Sequence, residues 1–297
     1  MPPAAKGPRP LETLQGESMR TIDASLITDT VRDLCIQANR KLPPDVERRI
    51  REFAASEESP VAREVFRHII ENAELAEPAG LALCQDTGLG LVFVEIGQDV
   101  HVTGGDLREA INEGVRRGYR DGYLRTSANH PFTRKNTGDN TPAIIYFDIV
   151  PGDTMRIQLV AKGFGAENMS KALTIAPSAG WEGIKRTVLQ ITAEAGSNPC
   201  PPTVLGVGVG GTLDQSILLA KKAYLRPLDD VNPDPDLAAK EAELLEEVNK
   251  LGIGPMGLGG KTTCLAVKIA IAPCHIGSLP LAVNFQCHSS RHKEAVL

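Results

Sequence analysis

Three of the six cysteines in this 297-residue chain stand at junctions between apolar runs and polar loops, where a metal or a reactive thiol can be reached. Cys84 ends an apolar run and opens Cys84-Gln85-Asp86-Thr87-Gly88. Cys200 lies in Asn198-Pro199-Cys200-Pro201-Pro202, where three prolines fix the backbone and remove amide donors. Cys287 follows the apolar run Leu281–Phe285 and precedes His288, Ser289, Ser290 and Arg291. Cys35 and Cys264 fall inside apolar helix and strand patterns and read as small buried hydrophobes. No pair shows the C-x2-4-C spacing of a zinc knuckle. Separated cysteines can still converge on an iron–sulfur cluster, and a cluster held by only three leaves one iron open as a Lewis acid. Packing thiols are the alternative.

The other polar landmarks also carry two readings each. Asp86 begins Asp-Thr-Gly, which is turn chemistry, so its carboxylate suits an Asx-turn or a helix N-cap as well as proton handling. His275 has the intrinsic pKa for acid–base work near neutrality, and equally suits a solvent-facing loop. Gly206, Gly208 and Gly211 satisfy G-x-G-x-x-G, with Asp229 or Asp230 near the place of the ribose-binding acid. No clear βαβ unit surrounds them, so close packing or substrate cradling is the better reading. Gly257–Thr263 imitates a phosphate loop, but Pro255 occupies the position of its first glycine. A P-loop-like nucleotide-binding protein is therefore the distant alternative function, and Lys261 has no assigned role.

The elements that must position these residues follow from hydrophobic periodicity. Helical spacing runs from Thr21 to about Leu75, with Ile27, Val31, Leu34 and Cys35 on one face, a second helix from Pro44, and a third behind Ser59–Pro60. That third helix places Val61, Val65, Ile69 and Ala73 together. Strands are expected at Leu91–Ile96, Ala143–Val150, Met155–Ala161, Thr203–Val209, Cys264–Ile271 and Leu281–Phe285, the second and third joined by the Pro151–Gly152–Asp153 turn. Helices are expected around Leu107–Tyr119, Trp181–Ala195, Thr212–Tyr224 and Asp234–Lys250. The fold class is α/β, mixed α+β: a helical layer over about 21–78, then a mixed sheet body with covering helices over about 79–297. Residues 1–20, polar and Pro-rich, are expected to form a disordered arm.

Composition narrows the function. A net charge of −5 and no basic stripe with interleaved aromatics argue against nucleic acid. No run approaches the ~20 apolar residues of a membrane span, and the N-terminus lacks the apolar core of a secretory signal. The expected setting is the reducing cytoplasm, where six cysteines serve packing, metal binding or nucleophilic chemistry rather than disulfides.

Six segments in order carry a resemblance. They are Leu83–Gly88, Asn136-Thr137-Gly138-Asp139-Asn140-Thr141-Pro142, Lys162-Gly163-Phe164-Gly165-Ala166-Glu167-Asn168, Cys200-Pro201-Pro202, Gly206–Thr212 and Gly257–Thr263. Together, over about residues 22–297, the chain resembles the α region of class I fumarate hydratases, iron–sulfur hydro-lyases related to L-tartrate dehydratase. The resemblance implies a [4Fe–4S] cluster on Cys84, Cys200 and Cys287, with the fourth iron polarising substrate. It implies substrate contacts from Gln85 and Arg125, and acid–base roles for Asp86 and His275. A forked guanidinium such as Arg125 suits the carboxylates of a C4-dicarboxylate. The resemblance also implies a β subunit that completes the site, and hence a hetero-oligomer. Hydration of fumarate to L-malate is the main expectation, and L-tartrate dehydration the alternative. One departure is Cys274, where the family usually has threonine before the matched histidine; it leaves two C-terminal cysteines as candidates, and the spacing from His275 favours Cys287.

Overall fold

The computed structural model describes residues 19–297, so most of the expected N-terminal arm lies outside the described residues. Arg20 already belongs to a short strand, β1 (Arg20–Asp23), paired in parallel with β3 (Val100–Thr103). The first helix therefore starts later than its pattern suggests, at α1 (Ala24–Arg40), where the Asp23 carboxylate accepts from the Ser25 amide as N-cap. Such a cap contributes about 1 kcal/mol. The remaining helices are α2 (Pro44–Ser56), α3 (Pro60–Ala79), α4 (Leu107–Asp121), the single turn α5 (Phe164–Glu167), α6 (Gly180–Ala195), α7 (Leu213–Ala223) and α8 (Pro235–Asn249). Ser59 caps α3 as its sequence suggests, but Val61 is exposed and the buried face is Ala62, Val65, Phe66, Ile69 and Ala76.

Two four-stranded mixed sheets form the body. The first comprises β2 (Leu89–Gly97), β4 (Ile144–Val150), β5 (Met155–Lys162) and β10 (His292–Val296), in the order β10-β5-β2-β4. The second comprises β6 (Lys171–Ile175), β7 (Thr203–Gly210), β8 (Cys264–Ala272) and β9 (Leu279–Gln286), in the order β6-β9-β7-β8. The turn at Pro151–Asp153 does not make a hairpin. Strand β2 lies between β4, its parallel neighbour, and β5, its antiparallel one. The sequence shows two strands and a turn, but cannot show a third strand inserted from upstream.

Both sheets follow one plan. A leading strand (β2 or β7) pairs in parallel with the next long strand (β4 or β8) and antiparallel with the one after it (β5 or β9). The edge strands are exchanged: β6, which follows β5, pairs with β9, while β10, which follows β9, pairs with β5. The connections leaving β5 and β9 thus cross from one half to the other. Cys84 precedes β2, Cys200 precedes β7 and Cys287 follows β9, so antiparallel pairing brings these loops to the crossing.

Period-two burial explains the layers. Val92 and Val94 face a core shared with α1 and α4, while Leu91 and Phe93 face one shared with α2 and α3. Val204 faces that central core too, and Leu205 and Val207 face a third with α6 and α8. The expected N-terminal helical layer is therefore split: α1 covers the first sheet from outside and α2 with α3 fills the middle. Helix α4 reaches α1 closely because Gly114 and Gly118 lack side chains; a Cβ at either would lie 2.6 Å from Val31 or Cys35. Among the described residues no helix is long and apolar enough to cross a membrane.

Candidate active site

All six cysteines are free thiols. Cys35 and Cys264 are buried, and burial pushes both thiols up, that of Cys264 to about 12, as the packing reading expects. Cys84, Cys200 and Cys287 are half-buried and converge. The backbone joins two of them: the Cys200 carbonyl accepts from the His288 amide at 3.3 Å and faces His288 Nδ1 at 3.1 Å. Burial raises the Cys200 thiol, and the neighbouring Cys287, Cys84 and Asp86 groups push the same way, with the Arg291 guanidinium opposing. The Cys200 thiol thus feels two other thiols and one carboxylate. The Cys200 loop is backed by the glycine-rich segment, where the Met256 amide donates to the Pro201 carbonyl at 2.7 Å.

The Cys84 loop is anchored from helices. The Leu83 amide donates to the Asn39 carbonyl at 2.8 Å, and Asn72 Nδ2 donates to the Leu83 carbonyl at 3.0 Å. Asn39 also accepts Arg291 Nη1 on its side chain at 3.0 Å. One residue at the end of α1 therefore ties the segment before Cys84 to the one after Cys287. Arg291 is 1% exposed, its Nε has no partner, and among the described residues no carboxylate lies within ion-pair distance of it. Neither Asn39 nor Arg291 stands out in the sequence: Asn39 sits in a helical pattern and Arg291 in a short polar tail.

Asp86 performs its turn role inside the site. Its Oδ1 accepts from the Gly88 amide at 3.0 Å, an Asx-turn, and its Oδ2 accepts from the Phe164 amide at 2.8 Å. Gly163 is required by close approach: a Cβ there would stand 2.9 Å from Arg291 Nη2 and 3.4 Å from Asp86 Oδ2. Gly88 has φ +73° and presses on the end of β5, where a Cβ would lie 2.5 Å from the Lys162 carbonyl. The Tyr119 hydroxyl reaches the carbonyls of Thr87 and Gly88 at 2.7 and 2.9 Å.

Gln85 is exposed beside Cys84, whose Sγ lies 3.5 Å from Gln85 Oε1. Arg125 is exposed on the following loop, and its carbonyl accepts from Thr87 Oγ1 at 2.8 Å. The Asn136–Pro142 segment positions that loop. Asn140 is 1% exposed; its Oδ1 accepts from the Ser127 and Ala128 amides at 2.7 and 3.1 Å, and its Nδ2 donates to the Gly88 carbonyl at 3.1 Å.

His275 is elsewhere in this chain. It lies on the β8–β9 loop, exposed, with Nδ1 accepting from the Gly277 amide at 3.1 Å. Strand β9 separates it from Cys287, which at ~3.3 Å per residue is about 25 Å. Cys274 shares that remote loop, its Sγ 3.1 Å from the Ser278 carbonyl, so Cys287 is the C-terminal cysteine that meets Cys200.

The glycine motifs are structural. A Cβ at Gly206 or Gly208 would stand 2.0 Å from the Ala220 or Ser216 carbonyl, so these glycines let α7 lie directly on β7. The Gly257–Thr263 loop runs into strand β8, not a helix, and its amides face a carboxylate: Lys261 N donates to Glu57 at 3.0 Å. Lys261 Nζ pairs with Glu58 at the surface. Glu57 thus fills the cradle that a phosphate would need, and the P-loop reading is set aside.

Among the described residues no three His, Cys, Asp or Glu side chains gather closely enough to hold a single metal ion. A four-iron cube takes its thiolates at separate corners, farther apart than around one ion, so three converging, half-buried cysteines fit it better.

The family model described as fumarate hydratase (fumerase) matches residues 28–296. A Methanocaldococcus jannaschii protein with the provisional name L(+)-tartrate dehydratase subunit alpha is 43% identical over 271 residues, 89% of this chain and 95% of that one. An Escherichia coli L(+)-tartrate dehydratase subunit alpha is 29% identical over 282 residues, 94% of this chain and 93% of its own. The chain belongs to the fumarate hydratase family and is part of a hydro-lyase enzyme.

Proposed function

We propose that this chain is the α subunit of an iron–sulfur hydro-lyase that reversibly hydrates fumarate to L-malate. The observation that carries this is the convergence of the Cys84, Cys200 and Cys287 thiols beside Asp86, in a chain of this family. These cysteines would hold a [4Fe–4S] cluster, which supplies Lewis acidity toward a substrate oxygen. The chain's own groups do the rest. Arg125, exposed on the loop that follows α4, binds a carboxylate of the dianion, and Gln85 orients the substrate beside Cys84. Asp86, whose oxygens accept from two amides, accepts or returns the proton exchanged at the carbon next to the hydroxyl-bearing one. His275 shares this acid–base work only if a second copy of the chain delivers it, since a strand length separates it from the cysteines of its own copy.

The names of both relatives favour a second reading, dehydration of L(+)-tartrate. Both substrates are C4-dicarboxylates that lose or gain water across adjacent carbons. The same names include "subunit alpha", which supports a β subunit as the obligate partner. A cytoplasmic setting suits free thiols and a half-buried cluster site.

The test is iron and sulfide content of the anaerobically reconstituted chain and of six single Cys→Ser variants. The assembled enzyme is then assayed on fumarate and on L-tartrate. Loss of iron only at positions 84, 200 and 287 is expected. An iron-free wild type in the presence of its partner sinks the proposal, and turnover of tartrate alone selects the second reading.

A further inference from the structure

The segment Lys162–Asn168 holds a partly buried ionic group, two buried lysines on a half-buried glutamate, that the chemistry above does not use. Lys162 has no solvent exposure, its Nζ lies 3.3 Å from Glu167 Oε2, and it donates to the Phe285 carbonyl. Lys221 on α7 is 2.5 Å from Glu167 Oε1, and Asn284 Nδ2 on β9 is 3.0 Å from Oε2. One carboxylate therefore joins β5 of the first sheet to α7 and β9 of the second. The segment it closes contains Gly163 and Phe164, and the Phe164 amide is the one bound to Asp86. Phe285, the other acceptor of Lys162, stands two residues before Cys287.

We propose that Glu167, gripped by Lys162, Lys221 and Asn284, is a positioning residue of the hydro-lyase site. It fixes the Gly163–Phe164 amide turn against Asp86, and with it the strand end that presents Cys287. Burial acts against the ionised Glu167, yet the facing lysines hold its carboxyl below the usual range; burial brings Lys162 down to about 8 against the pull of Glu167. Buried ion groups are poor sources of stability compared with apolar packing, but they can specify one arrangement; here all contacts to the Glu167 carboxylate are made, while Asn284 Oδ1 is left without a partner. Here the arrangement specified is the junction of the two halves directly behind the site.

The inference rests on the hydro-lyase reading, and its test separates the two. In the assembled enzyme, Glu167→Gln, Lys221→Met and Lys221→Arg are compared for kcat, KM and amide hydrogen exchange across residues 163–170. A turn displaced by about an ångström costs up to about a hundredfold in rate. Glu167→Gln and Lys221→Met are therefore expected to lower kcat by about ten- to a hundredfold with KM within about threefold. Exchange should rise at 163–170 only, and Lys221→Arg should restore kcat to near wild type. Unchanged kcat in Glu167→Gln, or faster exchange spread evenly over the chain, overturns the clamp. If Glu167→Gln does not fold, the Lys221 pair decides by the same readouts. A wild-type enzyme without hydro-lyase activity refutes the function, while the exchange pattern still decides the clamp.

Discussion

Replacing Asn140 is the sharpest test of how the site is built. Its side chain, 1% exposed, satisfies the amides of Ser127 and Ala128 and donates to the Gly88 carbonyl. Asn140→Ala removes all three bonds. The Gly88 carbonyl keeps the Tyr119 hydroxyl, but two amides lose their acceptor, and a buried donor without a partner costs about 1–3 kcal/mol. Ala128 is buried and Ser127 half-buried, so the sum is about 2–4 kcal/mol. Asn140 also has φ 61°, a left-handed conformation that costs alanine roughly 1 kcal/mol more. Asn140→Gly should escape that last part and lose less.

Urea unfolding of the chain measures this directly. With a slope of ~3 kcal/mol per molar, the alanine variant should shift the midpoint down by about 1–1.7 M and the glycine variant by about 0.7–1.3 M. The loop released is the one carrying Arg125, so in the assembled enzyme KM for the dicarboxylate should rise by about tenfold or more, in line with one charge-assisted contact disordered. An alanine variant with a wild-type midpoint and wild-type KM would show that the loop is held by something else, and would falsify the account of Asn140.

Three further outcomes follow from the geometry. Mixed enzyme assembled from Asp86→Asn and His275→Asn chains should regain activity that neither variant has alone, because one mixed site combines an intact Asp86 with an intact His275; no recovery on mixing argues that His275 does not act across copies. Gly163→Ala forces a methyl to within 2.9 Å of Arg291 Nη2, so iron content after reconstitution should fall well below wild type while Gly277→Ala, on the remote β8–β9 loop where a Cβ meets nothing nearer than 3.4 Å, retains it. Burial lowers the His292 pKa, so the unfolded chain takes up its proton first as pH falls. Stability from this group is present above about pH 6.5 and is lost below it; His292→Gln should flatten the acid side of a pH–stability curve, and an unchanged slope between pH 7 and 5 refutes the assignment.

Much of the candidate site was legible because its residues declare themselves locally. Cys84, Cys200 and Cys287 sit at breaks between apolar runs and loops, and such breaks follow from side-chain type and proline alone. Asp86 was legible as an Asx-turn for the same reason, and the long helices and central strands follow from periodicity. The short pieces were not: β1, β3, β6 and β10 are four or five residues long, too short for period two to register. The faces were also blurred where one residue decides, as with Val61, apolar in sequence yet exposed on α3.

What only the tertiary structure decided is which pieces meet. The exchange of β6 and β10 between sheets depends on pairing over more than a hundred residues, and no local pattern encodes it. The antiparallel pairing of β7 with β9 brings Cys287 to Cys200, while the exchange places Arg291 and Asn39 between the loops and lets one glutamate bind lysines from both halves. The length of β9 sets His275 at its far end, although twelve residues in sequence look close to Cys287. An extended strand turns a short sequence separation into a long distance, whereas strand pairing turns a long one into contact. The sequence by itself therefore determined the chemistry on offer, and strand order decided which of those groups one chain can bring together.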